Sequence, residues 1–241
     1  MIPLHDTIPS RQFPLANWVI IGFNTVAFLF ELSLPEYKLE LLLRYFGLVP
    51  ARFTDPDWAQ WMGFPHSYLP LFTNMFLHSG WGHFLGNIWT LYIFGDNVED
   101  RMGSLRYVMF YIITGLAAGL THILIHPTST IPAIGASGAI SGVMAAYMFL
   151  FPHSRIIFFF PVLFLPYFIE LPALLYIGVW FVGQFISGIS VLSITQQAGG
   201  IAFWAHIGGF GAGAVIYRLF VRYRYRRTYD DEYIRSYHNY A

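Results

Sequence analysis

Apolar runs of near-membrane length, separated by short polar turns, organise this chain almost from end to end. Read by length and hydropathy, they predict six transmembrane helices over residues 15–34, 83–94, 105–125, 137–151, 171–192 and 202–221. About 20 apolar residues at 1.5 Å per residue cross the roughly 30 Å hydrocarbon core. The second and fourth runs are short by that measure. The second lengthens backwards through Phe76 and Leu77, whereas the fourth stays short if its polar start faces a cavity and not lipid. A further apolar run, 156–169, is interrupted by Pro161 and Pro166. It is expected to be interfacial or re-entrant, with a seventh span as the alternative.

Composition agrees with the pattern: 56% of the 241 residues are hydrophobic, 20% aromatic and only 11% charged. Such a chain is one multi-pass membrane domain, not a set of soluble ones. The expected division is a cytoplasmic tail over 1–14, a membrane domain over 15–221 and a basic cytoplasmic tail over 222–241. Its formal charge of zero offers no footprint for nucleic acid. With no cysteine, disulfides, thiolate catalysis and cysteine-ligated zinc drop out. The N-terminal stretch has no small-residue cleavage pattern and reads as part of a retained anchor.

Positive charge sets the orientation. Counted from a cytoplasmic N-terminus, the inner segments hold Arg11, Arg101, Arg106, Arg155, Arg218, Arg222, Arg224, Arg226, Arg227 and Arg235. The outer segments hold Lys38, Arg44 and Arg52. Both termini are therefore expected in the cytoplasm, with the RYRYRR run beside anionic lipid. By this parity the second, fourth and sixth spans all begin on the outer side.

Those three ends carry the unusual polar residues. The second span contains LHSGWGHFLGN, with His78, His83 and Asn87; the last two are four apart and share a helix face. The fourth begins at Ser137 inside GASGAISG, and the sixth holds His206 inside FWAHIGGFGAG. Polar side chains within a span are costly and usually face a wet cavity or the bundle interior. Gly138, Ser141, Gly142 and Ala145 on the fourth span, with Gly209 and Gly213 on the sixth, form thin faces that let two helices approach closely. That approach brings Ser137 within reach of His206. A serine becomes a nucleophile when a neighbouring base takes its proton, and His206 is the available base. Asn87, His83 and the Ser137 N–H at an open helix start can donate to a developing oxyanion.

These residues resemble the rhomboid intramembrane serine proteases. The likeness is carried by the HxxxN of His83 and Asn87, the GxSG of Gly135 to Gly138 and the AHxxGFxxG running from Ala205 to Gly213. It covers nearly all of the membrane domain. The resemblance implies an all-α six-helix bundle with a partly embedded outer loop over 35–70, and a fifth span, bearing Trp180 and Gln184, that moves to admit substrate. It implies Ser137 as nucleophile, His206 as base and then acid, and His83 and Asn87 as oxyanion donors. The reaction would be hydrolysis of a peptide bond in or near a transmembrane segment of a membrane-protein substrate, at the outer face of the lipid bilayer, with no cofactor and no metal. The expected location is the bacterial cell (inner) membrane. Two features depart from relatives: Ser141 stands where many have an aromatic one turn after the nucleophile, and Leu69 and Pro70 stand where some have a Trp-Arg pair.

The GDNVEDRMGS stretch, 95–104, also resembles the family and reads as a structural, solvated turn on the far side from Ser137. His122 and His126, spaced i, i+4, could share a metal, but no carboxylate or cysteine accompanies them. A capping pair at a helix end is the ordinary reading. Two other functions compete. A helix-binding rhomboid-like protein that does not cut would be expected to lack the serine or the histidine. A transporter would show internal repeats and midplane charges.

Overall fold

The structure is a computed structural model that describes residues 2–162, 165–192 and 202–222. Along the chain come strand β1 (Ile2–Asp6), helix α1 (Leu15–Ser33), and the helices α2 (Glu36–Phe46), α3 (Ala51–Thr54), α4 (Pro56–Trp61) and α5 (Pro70–Thr73). They are followed by α6 (Trp81–Met102), α7 (Ser104–Ile125), α8 (Ser137–Leu150), strands β2 (Arg155–Val162) and β3 (Leu165–Pro172), α9 (Ala173–Leu192) and α10 (Phe203–Phe220). By length and apolarity α1, α7 and α9 can each cross a membrane, and α8 is a shorter apolar helix. Their outward faces carry Val26 and Leu29, Leu120 and Leu124, and Val179 and Ile186, all exposed. Such a surface belongs in lipid.

Helix α8 is the hub. Every residue from Gly138 to Tyr147 is buried, as expected for a helix that is apolar all round. Helix α10 reaches it without intervening side chains: a Cβ on Gly209 or Gly213 would overlap the carbonyl oxygen of Gly138 or Gly142. Lipid gives no hydrophobic drive for helices to associate, so close backbone contact of this kind supplies the attraction. On its α7 side, Gly142 leaves room for the side chain of Thr114.

Expectations are corrected in two places. The first concerns α6, which gains its length at its C-terminal end and not by running back through Phe76 and Leu77. Residues Asn74–Phe76 form a single 3-10 turn, Leu77 is extended, and α6 starts at Trp81. The GDNVEDRMGS stretch is likewise no solvated turn, since Asn97 to Met102 are helical and buried. Partners make that burial tolerable. Glu99 accepts from the N–H groups of Ala16 (3.0 Å) and Asn17 (2.8 Å) and from Ser104 Oγ (2.6 Å), satisfying donors that the first turn of α1 leaves unpaired. Asn17 in turn donates to the Leu91 carbonyl and accepts from Tyr107 OH.

The second correction concerns 156–169, which forms no helical span. It is an antiparallel hairpin of β2 and β3, and β1 adds to its other edge to give the order β1-β2-β3. Ile and Phe favour the pleated surface, with Ile156 and Phe158 turned into the core. Pro161 pairs with Pro166, so the two missing N–H donors fall on one rung. Asp6 ties the sheet to the bundle by accepting from Asn97 Nδ2 (2.9 Å) and from Tyr147 OH. Farther along β1, Trp89 Nε1 donates to the Pro3 carbonyl. The helical bundle thus carries a small sheet that the apolar pattern did not announce. Arg224, Arg226, Arg227 and Arg235, with most of the basic tail, lie outside the described residues.

Candidate active site

Ser137 is the first residue of α8, and the first intrahelical bond there runs from the Ile140 N–H to the Ala136 carbonyl. The N–H groups of that opening turn therefore have no partner within the helix. What holds the approach to Ser137 is the 35–70 region together with Asn74. Leu48 and Ala133 exchange both backbone hydrogen bonds, the Ala51 N–H donates to Ser129, Thr54 Oγ1 donates to Pro127, and the Gly135 N–H donates to Asn74. Arg52 stiffens the region from within by donating to the carbonyls of Tyr45 and Pro65. A loop lacking the Trp-Arg pair is thus fixed by backbone clasps.

His206 Nε2 lies 2.7 Å from Ser137 Oγ, joining α10 to the start of α8. The other ring nitrogen, Nδ1, lies 2.7 Å from Gln184 Oε1 on α9. Trp180, one turn before Gln184, places its ring 5.8 Å from the imidazole at an interplanar angle of 35°. Ser141, at the position where many relatives have an aromatic, is fully buried and donates to the Ser137 carbonyl at 2.6 Å. The aromatic neighbour of His206 is therefore supplied by α9 and not by α8.

His83 and Asn87 line the same cavity from α6. Gly135 has φ +127°, and a Cβ there would sit 2.5 Å from His83 Nε2 and 3.5 Å from Ser137 Oγ. Imidazole and hydroxyl thus face each other across a residue that has to be glycine. At the opposite nitrogen, Ser79 Oγ lies 3.1 Å from His83 Nδ1, with the Ser79 N–H at 3.5 Å. A backbone N–H can only donate, so this side favours Nδ1 as acceptor and leaves the proton on Nε2, directed at the site. Asn87 Nδ2 is buried and has no hydrogen-bond partner among the described residues. The same cavity thus holds Ser137 and two potential donors, and the Asn87 amide is unspent. The cavity holds about 700 Å³ and is lined by α6, α8, α9 and α10 together with residues 131–134.

The remaining histidines fall differently. His78 is buried against Phe28, Phe84 and His83, and its N–H donates to both oxygens of Glu31 at 3.1 Å. His122 and His126 sit at the end of α7 with ring centroids 5.3 Å apart. Among the described residues no three His, Cys, Asp or Glu side chains group as a metal site would require. Sequence reading placed Gln184 and Trp180 on the right helix but gave neither a role at His206. Their signal was a glutamine in an apolar span, one turn from a tryptophan.

Comparison with known proteins gives a consistent result. The family model described as Rhomboid domain matches residues 65–223. RHOMBOID-like protein 12, mitochondrial, of Arabidopsis thaliana is 28% identical over 173 residues, which are 65% of this chain and 47% of that protein. YdcA of Bacillus subtilis is 30% identical over 140 residues, 58% of this chain and 64% of the relative. Rhomboid protease GluP of the same organism is 32% identical over 88 residues, 36% of this chain and 17% of the relative. The chain spans less than two thirds of the length of each of these proteins.

Proposed function

Because the chain belongs to the rhomboid family, we propose that it is an intramembrane serine endopeptidase acting on peptide bonds in or near transmembrane segments of other membrane proteins. The 2.7 Å contact between Ser137 Oγ and His206 Nε2 carries this reading. In it, His206 takes the Ser137 proton as Oγ attacks the carbonyl carbon of the scissile bond. The oxyanion receives hydrogen bonds from Asn87 Nδ2, His83 Nε2 and the Ser137 N–H. His206 then protonates the leaving amine, and water from the cavity hydrolyses the acyl-enzyme with the same base.

The surrounding architecture belongs to the same reading. It has six spans formed by α1, α6, α7, α8, α9 and α10, a partly embedded outer loop built from α2 to α5, and a cytoplasmic location for both termini. The arginine bias between loops supports the orientation, and the bacterial inner membrane is the location it suits.

The test is labelling of purified protein with a fluorophosphonate probe, which needs no known substrate. Wild type should label, Ser137→Ala and His206→Ala should not, and Asn87→Ala should label roughly 100-fold more slowly. A folded wild type that resists a probe shown to enter the cavity would leave a helix-binding role without cleavage.

A further inference from the structure

We infer that Gln184 is a positioning residue that fixes the tautomer of His206, so that the serine and histidine are completed by a third side chain carried on α9. This inference rests on reading Ser137 and His206 as nucleophile and base. To accept the Ser137 proton at Nε2, the neutral imidazole has to hold its own proton at Nδ1. An isolated imidazole can carry its proton on either nitrogen. Gln184 Oε1, 2.7 Å from Nδ1, is an amide oxygen that accepts and cannot donate, so the contact selects the Nδ1–H form. The Nε2 lone pair is left facing the serine hydroxyl. A reversed amide would donate to Nδ1, move the proton to Nε2 and abolish the base.

The surroundings leave this task to Gln184. Ser141 is spent on the Ser137 carbonyl. Trp180 contributes a ring beside the imidazole and not an acceptor at Nδ1. The other titratable groups close enough to influence His206 are His83 and His122, and neither hydrogen-bonds Nδ1. When Oγ forms its bond to the carbonyl carbon, its proton passes to Nε2, and the resulting imidazolium keeps its Nδ1–H on the Gln184 oxygen. The Nε2 proton leaves with the amine when the C–N bond breaks, and the imidazole returns to the same Nδ1–H tautomer. Helix α9 is also the least enclosed of the long apolar helices, 17% buried against 39% for α1 and for α7. The readiness of the base is thereby tied to how firmly α9 is seated.

The experiment measures fluorophosphonate labelling rate against pH for the full chain, comparing wild type, Gln184→Met and Gln184→Glu, with thermal unfolding recorded for each. Gln184→Met keeps the volume and loses the acceptor, and should slow labelling roughly 3- to 10-fold. Gln184→Glu keeps the acceptor as an anion that favours the imidazolium, so labelling persists but its acid limb moves to higher pH. A purely structural glutamine would move unfolding in both variants and the pH profile in neither. Ser137-dependent labelling in wild type, with an unaltered rate in Gln184→Met or an unaltered profile in Gln184→Glu, overturns this inference alone. Wild type that never labels overturns it together with the reading beneath it. Should Gln184→Met fail to fold, the pH profile of Gln184→Glu decides.

Discussion

Gly135 concentrates the residue-scale lesson. Its φ of +127° and the 2.5 Å that a Cβ would leave to His83 Nε2 mean that one methyl group acts twice. Gly135→Ala should cost about 1–3 kcal/mol in stability through backbone strain. Displacing the imidazole should slow fluorophosphonate labelling about 100-fold, since small misplacements at a site have effects of that size. Thermal unfolding and labelling rate, measured together, separate the two contributions. A wild-type rate in a folded variant would remove His83 from the site. Ser137, His206, His83 and Asn87 were all legible in the sequence, because each is a polar residue in a setting that penalises polarity, and the structure gathers the four around one cavity. Gln184 carried the same signal, yet its partner lies 22 residues away on another helix. Spacing alone could not say which polar group it would meet.

Among the elements, the long apolar helices followed from hydropathy, and the sheet did not. The strands β2 and β3 are apolar on both faces, so their period was hidden, and two prolines gave the appearance of a broken helix. β1 was harder still, because a five-residue strand is defined only by the edge it joins. Its attachment point predicts a pH response. Burial raises Asp6 from 3.8 to about 7, with Asp96 adding to the rise and the hydrogen bonds from Tyr147 and Asn97 opposing it. An acid whose folded value lies above its unfolded one favours the fold while protonated. Stability should therefore fall as pH rises from about 4 to about 7 and level off above that. Asp6→Asn should flatten this part of the curve when thermal unfolding in detergent is followed against pH. An unchanged slope would show that Asp6 does not titrate across the folding transition.

For the whole molecule, the absence of cysteine turns topology into a clean measurement, because any thiol introduced is the only one present. Lys38 on α2 and Glu170 on β3 are both exposed. In intact cells, a membrane-impermeant maleimide should label Lys38→Cys at once and Glu170→Cys only after permeabilisation. Equal labelling of both before permeabilisation would contradict the proposed orientation. The pairing of Ile2 with Phe159 also sets an order of events during synthesis. At 5–20 residues per second, the partner of β1 leaves the ribosome roughly 8 to 30 seconds after β1 does. In that interval α1, α6, α7 and α8 are synthesised, while the strand waits with its backbone unpaired. A nascent chain halted before β2 would hold the serine helix without the edge that captures β1, so the sheet closes only after the helix bearing Ser137 has been made.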